Sequence, residues 1–272
     1  MEKITLLLDS HQLSDYERCP RLYQHSQLEH YGTVRMKDAF ARGTGFHDLL
    51  YLYYKSVIKG LSKEKAIKNA FRYMKYQKGM TTVHIQQVLP KILQYFAYYQ
   101  FETWIPLQAE IGFSKLLYED DHHQFIYQGK IDLLMEVQKV NAFVDHKTQA
   151  WAKSLVQESN QFIGYSWATG WRMGIINYIN LSPSLAPKDA FRRQIMNFTP
   201  QMIEEWKDNA IETFLQLAGD IRRERFNKRR AGCLGAYGIC DFEEVCRQTS
   251  KLVQIGMLDK LFVKKEEWSP WE

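Results

Sequence analysis

Two short stretches constrain this chain more than anything else in it: Gly129-Lys130-Ile131-Asp132-Leu133-Leu134-Met135 and Val144-Asp145-His146-Lys147-Thr148. Each sets an acid among residues that suit a buried strand, namely Ile131, Leu133, Leu134, Phe143 and Val144. An unpaired carboxylate there is costly unless it binds something. The polar break Gln138-Lys139-Val140-Asn141 fits the turn of a hairpin. With Lys139 and Val140 as a two-residue loop, Gln138 pairs with Asn141, Asp132 lies opposite Lys147, and Asp145 lies opposite Leu134. Side chains alternate along a strand, so Asp132, Asp145 and Lys147 share one face. A loop of even length keeps that parity, and an odd one separates Asp132 from the other two.

Two carboxylates beside an amine make a defined chemical device. The acids offer hard oxygen ligands to Mg²⁺ or Mn²⁺, ions that retain open positions for water and a phosphate. Such an ion acidifies bound water and neutralises charge on phosphorus oxygens, and Lys147 can orient the water or stabilise the same charge. A plainer alternative is a surface hairpin with an Asp–Lys cross-strand pair worth under ~1 kcal/mol. Short charged motifs also arise by chance, so spacing alone leaves both readings open.

The flanking sequence predicts mixed α/β architecture. Helical spacing places Phe46, Leu49, Leu50, Tyr53 and Tyr54 on one face of a helix over 40–54. Ser14-Asp15-Tyr16-Glu17 fits a capping box, 63–78 reads as a basic helix, and 83–101 is a further helix. Strands are expected at 107–117, 124–137, 142–147, 175–181 and 191–198, with a helix from about Ser154 to Thr169. Thr199-Pro200 reads as an N-cap and first helical residue opening a long helix towards Arg225. Hydrophobic residues at 45% and charged residues at 25% are the balance of a globular protein, and the net charge of +5 permits an anionic partner without requiring one. No apolar run approaches the roughly 20 residues of a bilayer span, and no leader is legible, so the expected location is the cytoplasm with no membrane partner.

Five motifs in order resemble the PD-(D/E)XK nuclease superfamily, in particular its RecB-like branch. Gly129 to Asp132 resembles the G-x-x-D element, and Asp145-His146-Lys147 resembles (D/E)-x-K. Gly43-Thr44-Gly45-Phe46-His47 resembles the upstream helix with a metal-binding His, and Gln161-Phe162-Ile163-Gly164-Tyr165 resembles Q-x-x-x-Y. The stretch from Ser14 through Cys19-Pro20 to Tyr23 resembles the opening of the iron–sulfur members. The resemblance implies a restriction-endonuclease-like core, a mixed central sheet flanked by helices. It implies one nuclease domain over 1–272, with a helical arm at 1–104, a catalytic α/β core at 105–200, and a long helix plus cysteine clasp at 201–272. It implies that His47, Asp132, Asp145 and the His146 carbonyl hold the metal, that Lys147 is the catalytic lysine, and that Gln161 and Tyr165 stand on the DNA-facing side. The activity so implied is DNA hydrolysis, most simply by an exonuclease acting on single strands or ends. Its settings are recombination, repair or phage DNA processing beside a helicase or recombinase, or CRISPR spacer acquisition, where similar adaptation nucleases occur. A non-cleaving nucleic-acid-binding module of the same fold is the rival. Without the resemblance, His47 is better explained as a core residue than as a ligand, and Gln161 with Tyr165 equally well as an ordinary i, i+4 pair. Glu110 is either a further acid of the site or a solvated strand residue.

The four cysteines sit at the two ends, Cys19 and then Cys233-x6-Cys240-x5-Cys246. Four thiolates suit a [4Fe–4S] cluster or tetrahedral zinc, and the missing C-x-x-C pair weakens the zinc pattern. The resemblance favours iron–sulfur, although the interval after Cys233 is longer than the C-x-x-C usual there; four buried free cysteines are the alternative. Leading into this trio are Arg222, Arg223, Arg225, Lys228, Arg229 and Arg230, which could hold DNA phosphates or form a solvated helix end.

Overall fold

A computed structural model describes residues 3–33, 38–74, 82–148, 159–235 and 238–271. The chain divides into two compact units.

One unit comprises Lys37–Phe113 and Lys130–Ile203. It contains helices α3 (Asp38–Ile58), α4 (Lys63–Met74), α5 (Thr82–Tyr98), α6 (Asn160–Thr169) and α7 (Pro187–Ala190). Its strands are the first part of β3 (Ile105–Glu119), the second part of β4 (His123–Val137), and all of β5 (Val140–Lys147), β6 (Met173–Ile179) and β7 (Phe191–Asn197). β4 runs antiparallel to β5, β5 parallel to β6, and β6 antiparallel to β7, giving the mixed sheet of the expected α/β class. The stripe Phe46, Leu49, Leu50, Tyr53 and Tyr54 packs with Val88 and Ile92 on Leu133, Met135, Val144 and Ile175. Burying side chains of this size is worth about 1.5–3 kcal/mol each. That packing fixes which face of β4 and β5 is core, and so turns the opposite face to the acids.

The hairpin differs from the sequence expectation by one step. Gln138 and Lys139, not Lys139 and Val140, form the loop, and Val137 pairs with Val140. Both loop residues take left-handed backbone, with φ of 51° and 67°. This is the primed turn whose twist matches a right-twisted hairpin. Leu133 therefore pairs with Val144, and the same register sets Asp132 across from Asp145. Parity is unchanged, because the loop still has two residues.

The other unit comprises Met1–Met36, Ser114–Gly129 and Glu204–Glu272. Here β1 (Ile4–Leu8) lies parallel to the first part of β4, with Leu6 against Phe125. The opening hundred residues thus include strands β1 and β2 (Tyr31–Thr33), where the sequence suggests helices alone. A five-residue apolar run is too short to hold a helix but long enough to join a sheet whose other strand lies over a hundred residues on. The first helix, α1 (Ser10–Arg18), is capped by Asp9, whose carboxylate accepts from the His11 and Gln12 N–H groups. This replaces the expected Ser14 cap; Ser14 Oγ donates to the Ser10 carbonyl inside the helix. A short α2 (Pro20–Tyr23) follows.

The long helix α8 (Pro200–Arg222) starts as expected, with Thr199 Oγ1 accepting from the Met202 N–H at 3.2 Å. It stops at Arg222, short of Arg225. The expected start of α6 at Ser154 and the end of α4 beyond Met74 lie outside the described residues; α6 is capped by Ser159 and ends on Gly170 at φ 73°. Beyond α8 come the small hairpin β8 (Leu234–Gly235) and β9 (Gly238–Ile239), then α9 (Glu243–Arg247) and α10 (Lys251–Leu261), and β10 (Phe262–Lys264), which pairs antiparallel with β2. No helix among the described residues is long and apolar enough to cross a membrane.

Candidate active site

Asp132 on β4 and Asp145 with Lys147 on β5 project from the same face, away from the core built on Leu133 and Val144. Asp132 Oδ2 accepts the His146 backbone N–H at 2.7 Å, which ties the two strands together at the level of the acids. His47, one turn along α3 from buried Leu50, brings Nδ1 to 3.5 Å from the same oxygen. Asp145 is almost wholly buried, and its Oδ2 accepts no hydrogen bond of acceptable geometry. The Lys147 ammonium stands 2.8 Å from that oxygen, so charge is balanced while the directional valence is left open.

Helix α6 completes the network. Lys147 Nζ donates to Gln161 Oε1 at 2.9 Å, and Gln161 Nε2 donates to Asp145 Oδ1 at 3.0 Å and to the Tyr165 hydroxyl at 2.9 Å. Lysine has no acceptor, so the amide oxygen must face it, and the orientation of Gln161 is fixed. The Tyr165 hydroxyl donates in turn to the Lys130 carbonyl at 2.6 Å. Tyr165 is buried, its ring edge-on to Phe143 and Phe113. It braces the network from inside, where the resemblance implies a DNA-facing position.

Electrostatics mark the place. Burial pushes the Asp132 carboxyl up to about 6; the Asp145 and Glu110 carboxylates add to this, and His47 and the His146 N–H oppose it. Two acids that crowd one another in a partly buried site are poorly stabilised as a pair of anions, which is the condition a divalent cation relieves. The donor set of two carboxylates, one with an unused buried oxygen, and an imidazole fits such an ion. Among the described residues, no three His, Cys, Asp or Glu side chains already stand close enough to clasp one. His146 turns its ring into the core, stacked on Tyr54 at 5.9 Å, and burial together with the charges of His47 and Lys147 holds it neutral.

Three neighbours lie outside the five motifs, one of them Glu110, a candidate further acid from the sequence. Glu110, on β3, pairs with Lys130 at 2.6 Å and raises Asp132. Asp48, beside His47 on α3, has its carboxyl raised by burial and by Glu110. Asn177, on β6, donates to the His146 ring at 2.9 Å. Glu110 stood in the sequence as a candidate acid on the strand before the hairpin, Asp48 showed only as an acid beside His47, and Asn177 carried no signal.

In the other unit all four cysteines line one cavity of about 1190 Å³. Cys19 sits between α1 and α2. The β8–β9 hairpin closes the long interval after Cys233, so that the Cys240 N–H donates to the Cys233 carbonyl at 2.8 Å. No cysteine is in a disulfide. Burial raises the thiols of Cys240 and Cys246, opposed by Arg18 at the first and by Lys228 and Arg21 at the second. The basic run is divided in its duties. Arg222 donates to His123 and to the His122 carbonyl, Arg223 pairs with Asp220 at 2.7 Å, and Arg225 is exposed. Lys228, Arg229 and Arg230 line the cysteine cavity, where Lys228 donates to the Cys246 carbonyl and Arg229 to that of Glu17.

Among solved structures, a provisionally named exonuclease from Eubacterium rectale is similar at 13% identity and a TM-score of 0.52, over 90% of each chain. SSO0001 is 14% identical over 79% of each chain with a TM-score of 0.37. LHK-Exo, solved in complex with dAMP, is 12% identical over 65% of this chain and 94% of its own, with a TM-score of 0.36. Comparison with curated proteins finds no match. The first structure supports a shared fold, and the acids and lysine of β4 and β5 lie inside residues 10–247, which match the model of one family. The chain belongs to the PD-(D/E)XK nuclease superfamily.

Proposed function

We propose that this chain is a divalent-metal-dependent DNA nuclease that acts as an exonuclease. The observation that carries the reading is the meeting of Asp132 and Asp145 on one face with Lys147, with a buried Asp145 oxygen left without a hydrogen bond. Asp132, Asp145 and His47 would hold Mg²⁺ or Mn²⁺, with the His146 carbonyl as a further ligand. When bound, the ion supplies an acidified water and neutralises charge on a phosphate. Lys147 Nζ, beside Asp145 and Gln161, would donate to a phosphate oxygen or to the attacking water. Gln161 keeps Asp145 and Lys147 in register, and Tyr165 keeps Gln161 in place. Arg222, Arg223 and Arg225 would meet DNA phosphates, with affinity that falls as salt rises. Any unwinding would come from a partner such as a helicase.

We also propose that Cys19, Cys233, Cys240 and Cys246 hold a [4Fe–4S] cluster, with zinc as the alternative. Support comes from their shared cavity and its cations. The Arg229 N–H donates to Cys19 Sγ at 3.3 Å, the kind of bond that stabilises ligand thiolates.

The test is cleavage of labelled single- and double-stranded DNA with Mn²⁺ by the parent chain, Asp145→Ala and Lys147→Ala. Loss of cutting in both variants is expected. Cutting that survives in both places the activity elsewhere, and binding without cutting by the parent favours a non-cleaving module.

A further inference from the structure

Behind the candidate metal site, a row of three side chains crosses three neighbouring strands. His146 on β5 is registered with Asn177 on β6, and Asn177 with Arg193 on β7. All three lie on the core face, the side opposite Asp145 and Lys147. Asn177 is 1% exposed and His146 3% exposed, so each polar atom there must find its partner within the protein.

The donor and acceptor roles follow from the guanidinium, which can only donate. Arg193 Nε donates to Asn177 Oδ1 at 3.4 Å, and a guanidinium cannot accept. The Asn177 amide nitrogen therefore faces the other way, donating to His146 Nδ1 at 2.9 Å and to the Tyr95 hydroxyl at 2.8 Å. His146 Nδ1 is consequently the acceptor, and the ring proton resides on Nε2. Arg193 is itself immobilised. It pairs with Glu102 through both terminal nitrogens and lies over Tyr99 at 3.7 Å and Trp104 at 4.3 Å.

Resting on the metal-site reading above, we propose that Asn177 is a positioning residue for the metal-binding acids: it anchors the His146 ring, and with it the strand segment that presents Asp145, Lys147 and the N–H bound to Asp132. The physical reason is asymmetry of cost. A buried imidazole nitrogen without a partner is expensive, so only strand positions that bring Nδ1 to Asn177 are low in energy. The His146 N–H to Asp132 bond belongs to the same residue, so ring and backbone are set together. Outer partners of this kind tune metal affinity by about 10–100-fold, and an anchor acting through backbone belongs at the lower end.

Imidazole ¹⁵N spectra of the full chain, with His146 assigned by difference against His146→Leu, should show Nδ1 bare and Nε2 protonated. The opposite tautomer overturns the proposal. Asn177→Asp presents only acceptors to the His146 ring, so its proton should move from Nε2 to Nδ1; an unchanged spectrum counts equally against the proposal. Asn177→Leu, titrated with MnCl₂ by calorimetry, should bind Mn²⁺ about tenfold more weakly. Its KM for DNA should stay within twofold of the parent's. If the parent binds Mn²⁺ and folded Asn177→Leu binds it equally well, the anchor is refuted and the metal site stands. If the parent itself binds no Mn²⁺, the metal reading falls and takes this inference with it. Should Asn177→Leu fail to fold, the tautomer in the parent and in Asn177→Asp decides.

Discussion

The side-chain amide of Gln161 donates to Asp145 Oδ1 at 3.0 Å, so a residue on α6 holds a carboxylate on β5. The same amide accepts from Lys147, so one planar group bonds both members of the Asp145–Lys147 ion pair and sets their orientation. Gln161→Ala removes both bonds and leaves the Asp145–Lys147 pair, already in contact at 2.8 Å, free to reorient as a unit. Steady-state cleavage with Mn²⁺ should then fall by about 10–100-fold, mostly in kcat. A change of less than twofold would show that the bridge is incidental.

Asp132 gives a pH dependence with a definite sign. Its folded-state carboxyl is raised to about 6 from an unfolded value of 3.8, so the native chain binds the proton more tightly. Between these values the folded form carries a proton that the unfolded form has lost, and stability falls as pH rises; above about 6 the penalty is constant. Chelator-treated protein should therefore gain about 1 kcal/mol from this group between pH 7 and pH 5. Chemical denaturation of the parent against Asp132→Asn isolates it. The variant should be the more stable at pH 7.5 while inactive, and the difference should shrink towards pH 5. A variant less stable at pH 7.5 would reverse the sign.

Lys147 and Asp145 should separate when metal binding and turnover are measured apart. Lys147→Ala should lower kcat by about 10²–10³-fold, the scale for losing one group that stabilises developing charge. Its Mn²⁺ affinity should hold or improve, because a cation beside the site is removed. Asp145→Ala should lose both. Equal loss of Mn²⁺ binding in the two variants would make Lys147 a structural partner of the acid.

For the cysteines, protein purified without oxygen should be brown and hold about four irons per chain. Cys233→Ser and Cys240→Ser should each lose colour and iron, since the β8–β9 hairpin makes them neighbours. A colourless parent with one zinc per chain would assign the other metal. A parent with neither would return the four thiols to ordinary packing.

The sequence by itself determined the periodicities, and with them most elements of the mixed α/β unit. The 3.6-residue stripe of Phe46, Leu49, Leu50, Tyr53 and Tyr54 and the two-residue alternation around Asp132 and Asp145 are local consequences of backbone geometry. An even loop protects parity whatever its register, and so sets Asp132, Asp145 and Lys147 on one face; the packing of α3 and α6 decided that His47, Gln161 and Tyr165 join them. Register itself was decided by the left-handed pair Gln138-Lys139, residues with no intrinsic preference for that conformation. Tertiary structure alone decided the partners far apart in the chain: β1 beside β4, Cys233 beside Cys240, and Asn177 and Arg193 lined up behind His146. These depend on strand order and on which face is buried, and a polar residue satisfied inside the core bears no local mark of the atom that satisfies it.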